Sequence, residues 1–148
     1  MIDRLPVTRA LQELLAVATG RPCGFGSLPV VAGKPVPVPY TVLYALGGTV
    51  SGAPLADRGE DAELVYQVTA VGGRADQAQW LADKVRQAVL ARAATGQWSN
   101  PLVIPGVEVW ARELDTDAGT DDAGASDGVV TSSQRYRLSA TSSPEATP

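Results

Sequence analysis

At 148 residues, with one cysteine and no histidine, the chain is the size of a single domain and lacks both an intrachain disulfide and the commonest general base and metal ligand. That excludes Ser-His-Asp and Cys-His triads and a thiol–imidazole zinc site. The net charge of −4 argues against a surface built to grip phosphates.

A chain of this size closes a core without staples, and with only 5% aromatic residues that core must be mostly Val, Leu and Ala. No apolar run approaches the roughly 18 residues that would span a bilayer, so no membrane association is expected. The start lacks a charged segment followed by an apolar stretch and a cleavage site, so no signal peptide is expected.

Residues 1–19 read as an amphipathic helix. Asp3 stands at its start and Pro6 in the first turn, where a missing N–H is harmless. Val7, Leu11, Leu14, Leu15 and Ala18 form one apolar stripe, and Gly20 and Pro22 end the helix. Residues 21–39 hold Pro29, Pro35, Pro37 and Pro39, which predicts an extended or edge segment. Residues 40–46, Tyr-Thr-Val-Leu-Tyr-Ala-Leu, give the first clear strand.

The Gly47-Gly48, Ser51-Gly52, Pro54 and Arg58-Gly59 signals predict a long loop over 47–61. In the strand at 63–71, Leu64, Tyr66, Val68 and Ala70 share one face and Val65, Gln67, Thr69 and Val71 the other. Bulk on both faces predicts a central strand. Asp76 is expected to cap a second helix running to about residue 94, with Ala78, Leu81, Val85, Ala88 and Val89 as its buried stripe and Thr95-Gly96 as its stop. Strands follow at 107–114 and 132–140, joined by an acidic, Gly-rich loop at 115–128.

Residues 141–148 are expected to be a disordered tail after a single domain over 1–140. The order predicts an α+β fold: a small, mostly antiparallel sheet of about four strands, two helices packed on one face, and long loops.

The candidate sites are few. Counted from Asp115, the acidic loop with Asp117, Asp121, Asp122 and Asp127 places Gly119, Thr120 and Ser126 where an EF-hand needs a ligand, a glycine and a glutamate, so it reads as a solvated tip. Gly24-Phe25-Gly26 lacks the rest of a dinucleotide fingerprint and reads as a turn. Cys23 has no histidine to activate it and reads as a structural thiol. Asp57, Glu60, Asp61 and Glu63 cluster beside Arg58 and read as solvated charge rather than as a glycosidase pair.

The last strand sets Arg135 and Arg137 on one face against Gln134, Tyr136 and Leu138 on the other. The two arginines await a carboxylate from the acidic loop, from a neighbouring subunit, or from nucleic acid. Trp98 and Trp110 suit either interface or core, and Trp80 the core rim. No motif implies catalysis, a cofactor or a metal.

One arrangement is familiar. After the N-terminal helix come Val38-Pro39-Tyr40-Thr41-Val42-Leu43 and the Ser51-Gly52-Ala53-Pro54 loop. Tyr66-Gln67-Val68-Thr69-Ala70-Val71-Gly72 and a helix beginning Ala75-Asp76-Gln77-Ala78 follow. This resembles the tail terminator (tail completion, minor tail protein) family of long-tailed bacteriophages, over residues 5–138.

The resemblance implies a virion protein at the head–tail joint, assembled in the host cytoplasm, and the expectation is a siphophage. It implies a six-membered ring on the tail tube that stops its polymerisation and docks the head-proximal connector or stopper, with DNA passing through the lumen without sequence-specific binding. On that footing Ser51, Pro54, Leu55, Asp57, Arg58, Arg135, Tyr136 and Arg137 are candidates for the subunit or tube interface. Asp115, Asp117, Asp121, Asp122 and Asp127 are candidates for the lumen or rim. The alternative from another class is a small ligand- or peptide-binding module.

Overall fold

A computed structural model of the chain describes residues 2–51, 61–121 and 128–142. Helix α1 (Arg4–Thr19) starts from Asp3 at the N-cap, whose side chain makes no capping hydrogen bond, and closes on Gly20. There a φ of 70° brings the glycine N–H to the Ala16 carbonyl. The buried stripe is Val7, Thr8, Leu11, Leu14, Leu15 and Thr19, whereas Ala18 is exposed. Threonines can sit in the stripe because their hydroxyls bond within the helix: Thr8 donates to the Arg4 carbonyl at 3.0 Å and Thr19 to the Leu15 carbonyl at 2.6 Å.

The Pro-rich segment forms three short strands, β1 (Cys23–Phe25), β2 (Val30–Val31) and β3 (Lys34–Pro35). Strand β1 pairs in parallel with the start of β4 (Tyr40–Ser51), and β2 and β3 form a separate two-stranded hairpin. Gly24 is required in β1, since a Cβ there would lie 2.1 Å from the Ser27 carbonyl oxygen. The edge expectation for this stretch holds, with β1 as the fifth strand that the pattern did not separate from its prolines.

Residues 47–51, expected in a loop, instead extend β4 and pair with the start of β5 (Asp61–Gly72). The glycines mark a bulge rather than a turn: the register shifts between Ala45 and Gly47, and Gly47 adopts a φ of 95°. Gly48 then runs so close to β5 that a Cβ would lie 1.9 Å from the Glu63 carbonyl oxygen.

Helix α2 (Ala75–Leu90) has Arg74, not Asp76, at its N-cap. Asp76 lies in the first turn, accepting the Gln77 N–H and facing Arg74 at 3.3 Å, where a carboxylate suits the helix dipole. The helix stops at Leu90 rather than near residue 94 because Ala91 is extended. Its last carbonyls are taken by side chains from elsewhere: Asn100 donates to Ala88 and Arg112 to Val89. The predicted stripe is buried in full, with Ala82 added.

Strands β6 (Val107–Asp121) and β7 (Val130–Ser142) complete a five-stranded sheet of order β1-β4-β5-β7-β6, antiparallel except at β1. Residues 115–121, expected in the acidic loop, belong to β6, and residues 141 and 142, expected in the tail, belong to β7. Residues of β7 pair the first stretch, and Asp61 of β5 with Val107 and Glu108 of β6 the second, and these ladders override weak local strand propensity.

As expected, β5 is central and the fold is α+β. Helices α1 and α2 pack on each other and on one face of the sheet. Leu11, Leu15, Leu43, Tyr66, Tyr136 and Leu138 are essentially sealed there, each worth roughly 1.5–3 kcal/mol in burial. Among the described residues no helix is long and apolar enough to cross a membrane.

Candidate functional site

The face of the sheet opposite the helices carries the polar alternates of β5, β6 and β7. Residues 63, 65, 67 and 69 of β5 stand across from Ser139, Arg137, Arg135 and Ser133 of β7. On this face Arg137 sits between two carboxylates. Its Nε donates to Glu63 Oε1 and its Nη2 to Asp115 Oδ1, both at 2.7 Å. Glu63 comes from β5 and Asp115 from β6, so one guanidinium on β7 ties its two neighbours together.

All three side chains are 30–45% exposed, which limits each pair to about 0–1 kcal/mol. Arg135 makes no ion pair with any described residue. It faces Thr116 on one side and Gln67 on the other, and it is exposed.

Beside the Arg137 pairs lies a shallow depression of about 490 Å³, lined by Thr49, Glu63, Trp110, Glu113, Arg137 and Ser139. Trp110 is 59% exposed at its rim. The register shift between Val109 and Ala111 makes Trp110 the extra residue of a bulge. An exposed indole beside a half-buried guanidinium is the composition of an interface anchor. Acidic groups dominate this end of the sheet, with Asp61, Glu63, Glu113 and Asp115 around Arg137, so a matching surface would be basic.

The remaining sequence candidates divide. Tyr136, proposed for the interface, points into the core and is wholly buried. Its O–H donates to Gln134 Oε1 at 2.6 Å, and burial, reinforced by Asp117, holds its phenol well above the ordinary range. It shares the inward face with Gln134 and Leu138, the same alternation that sets Arg135 and Arg137 outward.

The two described acids of the proposed acidic tip part company. Asp115 joins Arg137 on the open face. Asp117 accepts from Gln134 Nε2 at 3.5 Å and from the Gly119 N–H at 2.9 Å on the other face. The register shift between Leu114 and Thr116 makes Asp115 an extra residue and turns the two apart. Ser51 and Asp121 are the terminal residues of β4 and β6. Pro54, Leu55, Asp57, Arg58, Asp122 and Asp127 lie outside the described residues, as do 143–148.

The other tryptophans are less open to partners. Trp98 is half-buried between two cations, with the Arg92 guanidinium 3.9 Å and that of Arg112 4.6 Å from its ring centre. Arg112 is buried, and desolvation together with Arg92 lowers its pKa to about 10. The α2 C-terminus supplies the partial negative charge that holds Arg112, through the Val89 carbonyl, while Arg92 donates to the Gly96 carbonyl in the turn beyond it, so this cluster caps a helix. Trp80 is exposed on α2 near Lys84.

Cys23 is buried and desolvation pushes its thiol up, as befits a structural thiol. Among the described residues no His/Cys/Asp/Glu grouping could hold a metal ion.

Two surfaces escaped the sequence pattern: the exposed β2–β3 hairpin and a groove between α1 and residues 100–103. Val-Val-Ala-Gly-Lys lacks the Asn-Gly or Asp-Gly that signals a tight hairpin. No family model matches the chain, and no curated protein matches it.

Proposed function

We propose that this chain is a structural phage protein, a tail terminator. It forms a ring at the head-proximal end of the tail tube, ends tube growth, and offers the docking surface for the neck while DNA passes through its centre. One observation carries this reading. The two sequence patches that resemble the family are partners in the sheet, with Tyr40, Thr41, Val42 and Leu43 standing opposite Val71, Ala70, Thr69 and Val68. The helix that follows in the resemblance, α2, packs directly against that strand β5. The likeness therefore falls on one contiguous structural unit rather than on scattered residues.

Supporting it, the open face joins an exposed tryptophan to a bridged arginine, the makings of a protein–protein contact. In this reading the virion is the protein's place, the tube protein and the neck connector are its partners, and Asp115 lies on the face that meets a neighbour.

The test is tube capping. The purified chain is added to its cognate tube protein during polymerisation, and the products are imaged by negative stain. Bounded tube lengths with a ring at one end are the expected outcome. Tubes that grow undisturbed, with the chain absent from their ends at every concentration, would remove the proposal.

A further inference from the structure

A run of large apolar side chains is left in solvent between β1 and β3. Phe25, Leu28, Val30 and Val31 are 42–64% exposed. Val30 and Val31 sit on the β2–β3 hairpin, which pairs only with itself and forms no ladder with the five-stranded sheet. A two-stranded hairpin is at best marginal alone in water. Its turn adds strain, since Ala32 holds a φ of 53° before Gly33 at 77°. At the tip Lys34 makes no ion pair with a described residue.

A second apolar surface lies elsewhere on the chain. A groove of about 260 Å³ runs between α1 and residues 100–103, and its walls include Leu14, Val17, Leu102 and Val103. Val17 and Val103 are the two most exposed of the large hydrophobic side chains described, at 76% and 84%. The charged group in its wall is Glu13, which makes no ion pair with a described residue. The hairpin offers valines and a cation; the groove offers apolar walls and an anion.

We propose that the β2–β3 arm of one copy of this chain seats in the α1/100–103 groove of the next, with Val30 and Val31 against Val17 and Val103 and Lys34 against Glu13. This deepens the ring reading, on which it rests. The two patches share no residue, so each copy keeps a free arm or a free groove unless two copies exchange arms reciprocally; used head to tail, the contact is heterologous and makes a ring when the rotation between copies closes. Both surfaces carry acid for Lys34 to meet, and the aliphatic walls select this groove over the depression beside Trp110, whose lining is more polar and offers an indole rather than an aliphatic cleft to the valines.

The full chain carrying Val31→Cys and Val103→Cys together is oxidised mildly and run without reductant, alongside each single variant. A ladder of covalent multimers from the double variant, absent from the singles, is expected. Native mass spectrometry over a concentration series provides the second readout. Lys34→Glu or Glu13→Lys alone should weaken self-association about fivefold to tenfold, and the pair together should restore it.

Multimers that form without the ladder overturn the arm-in-groove contact but leave the ring standing. A cross-linked dimer that grows no further overturns the head-to-tail arrangement. A chain that stays monomeric and unlinked at every concentration also overturns the contact, and tube capping then decides the terminator reading separately.

Discussion

Strand β7 has two neighbours and treats them differently. Against β5 its ladder runs unbroken from Asp61 opposite Thr141 to Gly72 opposite Val130. Against β6 it shifts register between Val109 and Ala111, between Leu114 and Thr116, and between Asp117 and Gly119. The central pair places Leu64, Tyr66, Val68, Gln134, Tyr136 and Leu138 under the helices, and a slip of one residue would turn that set to water.

The edge strand answers to one neighbour and can afford its bulges. They swing Trp110 outward, put Asp115 and Asp117 on opposite faces, and roughen an edge that would otherwise invite pairing. Regularity sits where the core is, and irregularity where the surface chemistry is.

The largest expected effect tests the central half of that contrast. Leu138→Ala, at a fully buried position of β7, should lower unfolding free energy by about 2–5 kcal/mol. Leu114→Ala, on the partly buried edge strand, should cost well under that. Urea titration with an unchanged slope reads both, and equal losses would break the comparison.

Glycines sharpen it next. Gly48→Ala drives a Cβ into the Glu63 backbone and should cost about 1–3 kcal/mol or more. Gly119→Ala, at an edge bulge with open space around it and a φ of 74°, meets only backbone strain of about 1–2 kcal/mol.

The tyrosines divide the core by pH. Since the Thr8 hydroxyl donates to Arg4, the Tyr66 O–H donates to Thr8 at 2.8 Å, and Tyr66→Phe should cost about 1 kcal/mol. Burial raises the pKa of Tyr66, Tyr136 and Cys23. Each group therefore stays protonated in the fold after it ionises in the unfolded chain. Their stabilisation is complete below the ordinary thiol and phenol values, about 8.5 and 10, and is lost as pH climbs above them.

Arg112 works the other way. With its pKa lowered to about 10, its penalty eases between about pH 10 and 12.5. Thermal melts should decline from about pH 9 upward, and Tyr136→Phe should flatten the decline. A melting temperature that stays flat to pH 11 would contradict this burial.

How much of this was legible follows the same divide. Both helices, the centrality of β5 and the inward Tyr136–Leu138 face are written in periodicity, because packing on one face imposes period 3.6 or 2. The strand ends are not. Gly47 and Gly48 look like a turn to any local rule, and only the approach of Glu63 from β5 shows why they are glycines. Asp115 and Asp117 read as a solvated tip because their partners, Arg137 and Gln134, are distant in sequence.

The position of Tyr136 between two arginines suggests an interface, but the alternation of β7 turns it inward, where it is wholly buried. The arm and groove were invisible because neither interrupts a pattern: each is a surface defined by what fails to cover it.

The smallest effect on stability falls at the open face. Arg137 is bridged twice, yet at its exposure the pairs are screened, so Arg137→Met should change unfolding free energy by less than about 1 kcal/mol. Raising salt should shrink the difference further. The same substitution leaves Glu63 and Asp115 without their cation beside Trp110, making that surface more acidic and less ordered. If the open face is a contact surface, Arg137→Met should therefore impair tube capping while its melting curve stays near that of the parent. If capping survives, the bridge serves only to tie β5 and β6 to β7. If stability falls as far as for Leu138→Ala, the edge shares the work of the centre and the division drawn between them fails.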